Sequence, residues 1–309
     1  MKKLECLVTP LIIFLAAAPA AAGIERPTSG ELDAALKTAR GEQPPGYHLV
    51  VHRTDEAGQR SLEVFPSGVG IWNHTAQVVL APALRSSLLE ILRERGFAAM
   101  EPSYGGKGKP GLQQAAIRIT CRVALEIDGL QKSSVQQADG EQSAELAALA
   151  DAILDRVEPL AEDAVTAADL TDGLRKLADG RLAAEALSLR FVRLPAAKDH
   201  AGSILMIRGG EESRRAYVPG RHIGDEVVAP VSAAGLEAVA KALLAADVAS
   251  LPVNLKSADH VELEVAVLGR RTTVVGRDFS RAVVDDAARN RFDKLVDFLG
   301  EFEDAKAGE

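Results

Sequence analysis

Residues 229–278 constrain the fold most, because the spacing of their apolar side chains changes partway through. Over residues 236–244 apolar residues recur three and four positions apart, which predicts an amphipathic helix that ends before Pro252. Over residues 261–267 apolar and polar residues alternate, and a second alternating run follows Gly269, as in a β-hairpin. A helix that buries one face and a hairpin that buries one face are expected to pack together.

The same order of elements occurs earlier in the chain. Residues 61–65 correspond to residues 203–207 at an offset of 142, and Pro82 corresponds to Pro230 at an offset of 148. The similarity lies in element order more than in residue identity, so two unrelated α+β domains remain an alternative. The sequence predicts an α+β protein with two tandem modules, each an antiparallel β-sheet of two hairpins with helices packed on one face.

Composition and capping signals set the predicted boundaries. Before the first hairpin the chain is rich in Pro, Gly and charge, and only residues 32–39 resemble a helix. Between the modules, Thr166 and Asp169 have capping-box spacing, which predicts a short helix. The predicted organisation is a signal peptide (1–22), a flexible leader (23–45), a first α+β module (46–160), a helical linker (161–184), a second α+β module (185–303) and a disordered tail (304–309).

The first residues have the regions of a secretory signal peptide. Lys2 and Lys3 precede an apolar run over residues 7–18, and small residues follow it. The run is shorter than the roughly 20 residues that a bilayer core requires, and Pro10 interrupts it, which favours cleavage over a membrane anchor. We therefore expect a periplasmic or secreted protein with no membrane insertion after cleavage.

Charge and cysteine content narrow the functional classes further. The chain has 36 basic and 44 acidic residues, a formal net charge of −8, which disfavours nucleic acid as a partner. Cys6 falls in the predicted signal peptide, so the mature chain keeps Cys121 alone and has no intrachain disulfide. Cys121 lies in an alternating apolar run, which favours a buried core residue over a nucleophile.

No set of residues has the spacing of a catalytic or metal site. His48 and His52 share one face of a predicted strand but lie about 13 Å apart, too far to bind one ion without other ligands. Glu262 and Glu264 also share a strand face, where a solvated surface is favoured over acid–base chemistry. The sequence therefore predicts no catalytic residues, no metal and no cofactor.

Exposed positive charge is expected at loops and hairpin tips. Arg214 with Arg215 and Arg270 with Arg271 are predicted at tips. The glycine-rich loop over residues 103–111 is longer than its counterpart in the second module, and it supplies the candidate binding residues. These are Tyr104, Lys107 and Lys109, although a tolerated surface insertion explains the same composition.

Three segments, residues 203–207, 236–252 and 261–278, resemble the emfourin-like module in their order of helices and hairpins. That family includes small protein inhibitors of thermolysin-type metallopeptidases, so the resemblance implies a protein partner such as a secreted metallopeptidase. No position matches a functional residue that could be transferred. The sequence predicts an exported, non-catalytic binding protein, with a structural envelope-associated protein and an enzyme whose site assembles from distant residues as alternatives.

Overall fold

The computed structural model covers most of the chain. It describes residues 27–39, 44–56, 58–104, 119–138, 143–194, 202–217, 227–278 and 285–302. The predicted signal peptide and C-terminal tail lie outside these residues. Within the described part, no helix is long and apolar enough to cross a membrane.

The first repeat, which we define as residues 29–157, alternates helices with a seven-stranded sheet. In chain order its elements are α1 (Ser29–Thr38), β1 (Tyr47–Asp55), β2 (Gly58–Val64), β3 (Val69–Trp72), β4 (Ala76–Val79), α2 (Pro82–Glu94), β5 (Ser103–Tyr104), β6 (Ile119–Ile127), β7 (Leu130–Gln137) and α3 (Ala144–Val157). A short 3-10 helix, Phe97–Ala99, follows α2. A second 3-10 helix, Glu158–Asp163, and the two-residue strand β8 (Val165–Thr166) lead to the next repeat.

The second repeat, residues 170–301, has the same elements in the same order. They are α4 (Leu170–Ala178), β9 (Leu187–Leu194), β10 (Gly202–Arg208), β11 (Glu211–Tyr217), β12 (Val227–Pro230), α5 (Ala233–Ala245), β13 (Asn254–Leu255), β14 (His260–Val267), β15 (Arg270–Gly276) and α6 (Asp286–Glu301). A 3-10 helix, Val248–Ser250, follows α5 as Phe97–Ala99 follows α2.

Both sheets also have the same strand order. The first is β5-β7-β6-β1-β2-β3-β4 with β8 added beside β4, and the second is β13-β15-β14-β9-β10-β11-β12. The predicted α+β fold with two sheet modules is confirmed. Each sheet is mixed rather than purely antiparallel, since β5 and β13 run parallel to β7 and β15. The parallel pairs arise because the chain reaches that edge from the helical layer instead of from a hairpin.

The strand registers align the repeats residue by residue. Leu49 of β1 pairs with Val64, and Leu189, at the equivalent position of β9, pairs with Ile207. The offset between β2 and β10 is therefore 143, and the predicted offset of 142 is wrong by one residue. A slip of one residue exchanges the two faces of a strand. It would have matched the buried Val64 with Met206, which lies on the exposed face.

The predicted match of Pro82 with Pro230 at an offset of 148 is also wrong. Pro230 pairs with β11 as Val79 pairs with β3, so the offset between β4 and β12 is 151.

A packed helix lies within the predicted flexible leader. In α1, Leu32 and Leu36 are buried in the core of the first repeat. Thr28 and Glu31 form a capping box, because each side chain accepts a hydrogen bond from the other residue's backbone N–H. The leader therefore begins the repeat, as α4 begins the second. Two buried leucines one turn apart are too short a pattern to predict this packing.

Side-chain caps determine where several helices begin. Ser143 Oγ accepts a hydrogen bond from the backbone N–H of Leu146 at the start of α3. Asp169 Oδ1 accepts one from the N–H of Asp172 at the start of α4. The short helix predicted over residues 161–184 is therefore present as α4, but it belongs to the second repeat. The predicted cap at Thr166 is wrong, because Thr166 pairs with β4 as part of β8.

Each sheet has more strands than the two predicted hairpins: β3, β4, β5 and β8 are added in the first sheet, and β11, β12 and β13 in the second. β3 and β4 have four residues each and alternate too briefly to stand out. Arg214 and Arg215, predicted at a hairpin tip, instead lie within β11 and pair with β10. Arg270 begins β15 directly after the Leu268–Gly269 turn, so that tip is where the sequence placed it.

Helical periodicity was the more reliable signal. Leu243, predicted on the buried face of α5, is fully buried. Six apolar residues recur at helical spacing in α3, and all are 0 % exposed: Leu146, Leu149, Ala150, Ile153, Leu154 and Val157.

The second repeat packs against the open face of the first sheet, the face without helices. Phe65 and Ile71 of the first repeat belong to the hydrophobic core of the second. Gln77 Oε1 accepts a hydrogen bond from the backbone N–H of Ala183, 2.8 Å away. Gly269, with φ 74°, approaches His74 so closely that an added Cβ would lie 2.6 Å from the His74 carbonyl oxygen. Only glycine fits this turn, for both reasons.

Candidate functional site

A cleft opens between the two repeats, beside their contact. Its volume is about 550 Å³, and its walls come from β1, β2 and the β6–β7 turn on one side and from β10, β11 and β12 on the other. We call it the inter-repeat cleft. Its principal lining residues are His48, Glu63, Phe65, Met206, Arg208 and Val228.

The first repeat contributes a hydrogen-bonded pair stacked on an aromatic ring. His48 Nε2 lies 3.0 Å from Glu63 Oε1. The His48 ring also stacks on Phe65, with 5.3 Å between the ring centroids. The antiparallel register explains this arrangement, because the Leu49–Val64 pairing places Phe65 directly across from His48.

Opposing effects act on the Glu63 carboxyl. Burial raises its pKa, whereas the hydrogen bond to His48 and the positive charges of His48, Arg208 and His74 lower it. The lowering effects prevail, so the Glu63 pKa lies below its usual value. Glu63 is therefore a carboxylate at neutral pH, and it connects the two repeats electrostatically through Arg208.

The second repeat contributes two exposed apolar side chains, Met206 and Val228, to a wall that is otherwise polar. Met206, Ser213 and Val228 face one another across three neighbouring strands. Met206 is 38 % exposed and Val228 55 % exposed, so this row presents apolar surface to solvent. Exposed apolar surface bordering a cleft is typical of interaction sites.

The charge of the cleft is predominantly negative. Glu63, Glu126, Asp128, Glu211 and Glu212 line it, and the basic lining residues are Arg208 and His48. Such a lining favours a positively charged ligand over an anionic one.

Of the predicted binding residues, the structure describes Tyr104 alone. Tyr104 belongs to β5, is partly buried against the first core, and its hydroxyl accepts a hydrogen bond from the backbone N–H of Glu101 at 3.0 Å. The expectation that Tyr104 is an exposed loop residue is therefore wrong. Lys107 and Lys109 lie outside the described residues, so their role remains a prediction.

Three of the groups considered for chemistry, His48, His52 and Glu262, have structural partners. His52 Nε2 lies 3.1 Å from Thr54 Oγ1 rather than near His48. Glu262 accepts a hydrogen bond from Arg190 Nη1 at 2.9 Å, and this contact holds the Glu262 pKa below its usual value. Among the described residues, no group of three or more His, Cys, Asp or Glu side chains is arranged to hold a metal ion.

Cys121 is a core residue. Its side chain is 0 % exposed, and its thiol donates to the Leu146 carbonyl oxygen at 3.7 Å. Burial raises the pKa of the Cys121 thiol to about 11. The thiolate is the nucleophilic form, so the position and pKa of Cys121 both favour an inert thiol.

Sequence reasoning missed the cleft because its walls are far apart along the chain. Phe65 and Arg208 occupy equivalent positions in the two repeats at the corrected offset of 143, yet one is aromatic and the other charged. Such a divergence within a duplication is the signal that could have indicated the site. No protein-family model matches the chain, and a search of curated proteins finds no match.

Proposed function

We propose that the protein is an exported, non-catalytic binding protein whose inter-repeat cleft binds a segment of another protein. The observation that carries the proposal is the composition of the cleft, in which both repeats contribute walls and the second repeat exposes the apolar side chains of Met206 and Val228 among charged groups. Binding sites form preferentially at interfaces between domains, and partly apolar clefts with a few charged groups give both affinity and orientation.

The experiment compares one cleft variant with a matched control. Met206→Glu places a charge on the exposed cleft wall, and Val253→Glu places the same charge at an exposed valine outside the cleft. Both sites are solvated, so both variants should unfold within about 0.5 kcal/mol of wild type. Each protein is immobilised and exposed to the periplasmic or secreted fraction of its native host, and captured proteins are quantified by mass spectrometry.

The two variants should differ in capture. We expect Met206→Glu to reduce the yield of the principal captured protein at least tenfold, equivalent to about 1.4 kcal/mol, and Val253→Glu to leave it unchanged. Equal capture by the two variants would contradict a role for the cleft.

A secreted metallopeptidase is the first partner class to assay, because of the resemblance to the emfourin-like module. The purified protein is titrated against a thermolysin-type peptidase, with Met206→Glu and Val253→Glu as the paired variants. Inhibition that is weakened by the first variant alone would support this partner class. If neither the wild-type protein nor either variant inhibits the peptidase at any concentration, the partner belongs to another class.

A further inference from the structure

We propose that β12 is a strand-addition edge, and that it binds an extended, lysine- or arginine-containing segment of the partner in antiparallel orientation. This inference rests on the proposed function, since it specifies the kind of segment that the inter-repeat cleft holds. Four observations carry it: an internal precedent, the orientation of the β12 backbone, the direction of its side chains and the charge of the cleft.

The precedent is the equivalent edge of the first sheet. There β4 is covered by β8, which pairs antiparallel with it through Ala76–Thr166 and Gln77–Val165. In the second sheet β12 has the place of β4, and it is the last strand among the described residues. The same topology thus accepts an added strand in one repeat and presents an edge in the other, and exposed edges are templates for strand addition.

The backbone of Val228 points away from the sheet. Val231 donates its N–H to the Gly210 carbonyl oxygen at 2.9 Å, which fixes the hydrogen-bonded positions of the β11–β12 pair. These positions alternate along an antiparallel ladder, so the N–H and C=O of Val228 are directed to the outer edge. Gln77 has the equivalent position in β4, because Leu80 donates its N–H to the Gly68 carbonyl oxygen as Val231 does to Gly210. Gln77 pairs with β8.

Side-chain alternation then specifies the added strand. Val228 lines the cleft, and its neighbour Val227 is 65 % exposed. A residue placed directly across from Val228 projects its side chain to the same face of the sheet, towards the cleft. The residues on either side of it project to the opposite face.

The charge of the cleft determines the side chain that fits. Five acidic residues line the cleft against the basic residues Arg208 and His48, so a lysine or arginine across from Val228 is attracted to it. A second copy of this chain would bring two acidic clefts together on proteins of net charge −8, which disfavours self-pairing. A basic segment of a different protein is therefore the occupant that we infer.

The test uses a fluorescein-labelled heptapeptide that alternates Val and Lys, with a Val–Glu peptide as its counterpart. Val228→Pro removes the outward N–H without removing a hydrogen bond to β11, and edge strands accept proline. The matched control is Val79→Pro on the edge of β4. Position 79 is equivalent to Pro230, so this strand tolerates proline at that site. Fluorescence anisotropy measures binding, and circular dichroism verifies folding.

We expect wild type and Val79→Pro to bind the Val–Lys peptide equally, and Val228→Pro to bind it at least tenfold more weakly, by about 1.4 kcal/mol. The Val–Glu peptide should bind at least tenfold more weakly than the Val–Lys peptide, and added salt should reduce that difference. Size-exclusion chromatography with light scattering should give a monomer for wild type and for both variants.

Three results would overturn the inference. Equal binding of the Val–Lys peptide by wild type and Val228→Pro would show that the edge is not used. A wild-type dimer that Val228→Pro dissociates would assign the edge to a second copy. If wild type binds neither peptide but Met206→Glu still loses capture of the partner, strand addition is refuted and the proposed function stands. If Met206→Glu captures the partner as well as wild type does, the proposed function itself is refuted.

Discussion

Gly276 in β15 packs against the ring of Phe292 in α6: an added Cβ would lie 2.8 Å from Phe292 Cε1. In the first repeat the equivalent residues are Gln136 in β7 and Ala150 in α3. Gln136 is 3 % exposed, and its side chain accepts a hydrogen bond from the Ser143 N–H at 3.1 Å. The second repeat thus fills this space with a helix side chain, Phe292, and the first repeat fills it with a strand side chain, Gln136.

Gly276→Ala should destabilise the protein by about 1 to 3 kcal/mol, because the new methyl group overpacks a closed core. Gly276 does not have a positive φ, so the cost comes from contact rather than from backbone strain. Chemical denaturation measures it. Adding Phe292→Leu should recover part of the loss, with a coupling of about 0.5 kcal/mol or more between the two sites. Strictly additive losses would show that the two side chains do not compete for space.

Leu243→Ala should cost about 2 to 5 kcal/mol, because it removes a fully buried side chain and leaves a cavity. The control is Lys241→Ala on the same helix, where the side chain is 64 % exposed. We expect that variant to stay within about 0.5 kcal/mol of wild type. Similar denaturation midpoints for both variants would mean that the buried face of α5 is misassigned.

The candidate loop residues call for separate variants, because Tyr104 is packed. Tyr104→Phe removes the hydroxyl that accepts the Glu101 N–H and should cost about 0.5 to 1.5 kcal/mol. The double variant Lys107→Ala, Lys109→Ala should stay within about 0.5 kcal/mol of wild type. If the lysines contact the partner, capture should weaken at least tenfold, or about 1.4 kcal/mol. Undiminished capture would identify the loop as a tolerated insertion.

Glu63→Gln should show a pH-dependent loss of stability. The folded-state pKa of Glu63 lies below its unfolded value of about 4.5, so the carboxylate stabilises the fold above that pH. This contribution disappears as the pH falls through the folded pKa. Melting temperatures should therefore differ between wild type and Glu63→Gln at pH 7, and the difference should shrink as the pH falls below about 4.5. A difference that does not shrink on acidification would contradict the assignment.

Local periodicity predicted the helices, the hairpins next to them and the repeated order. The buried face of α3 could be predicted because six apolar residues recur at helical spacing over four turns. The four-residue strands β3 and β4 could not, because such brief alternation also occurs in loops. Arg214 was misplaced because its strand is polar along most of its length, and Phe302, whose ring lies 5.4 Å from the Arg214 guanidinium, is far away in sequence.

The candidate site was less predictable than the fold. His48 and Glu63 were both predicted on strands, but their contact depends on a register that single-sequence patterns do not specify. Arg208, which lowers the Glu63 pKa from across the cleft, comes from another sheet, 145 positions away. Distances of this kind are determined by the docking of the repeats, which involves turns such as Leu268–Gly269 against His74.

The docking of the repeats is also asymmetric. It joins the turns of one copy to the sheet face of the other, two different surfaces, and head-to-tail contacts of this type can in principle continue through further copies. The first copy presents Phe65 and Ile71 to its neighbour. At the equivalent positions the second copy has Arg208 and Ser213. Its sheet face therefore does not repeat the apolar docking surface of the first copy, and it lines the inter-repeat cleft instead.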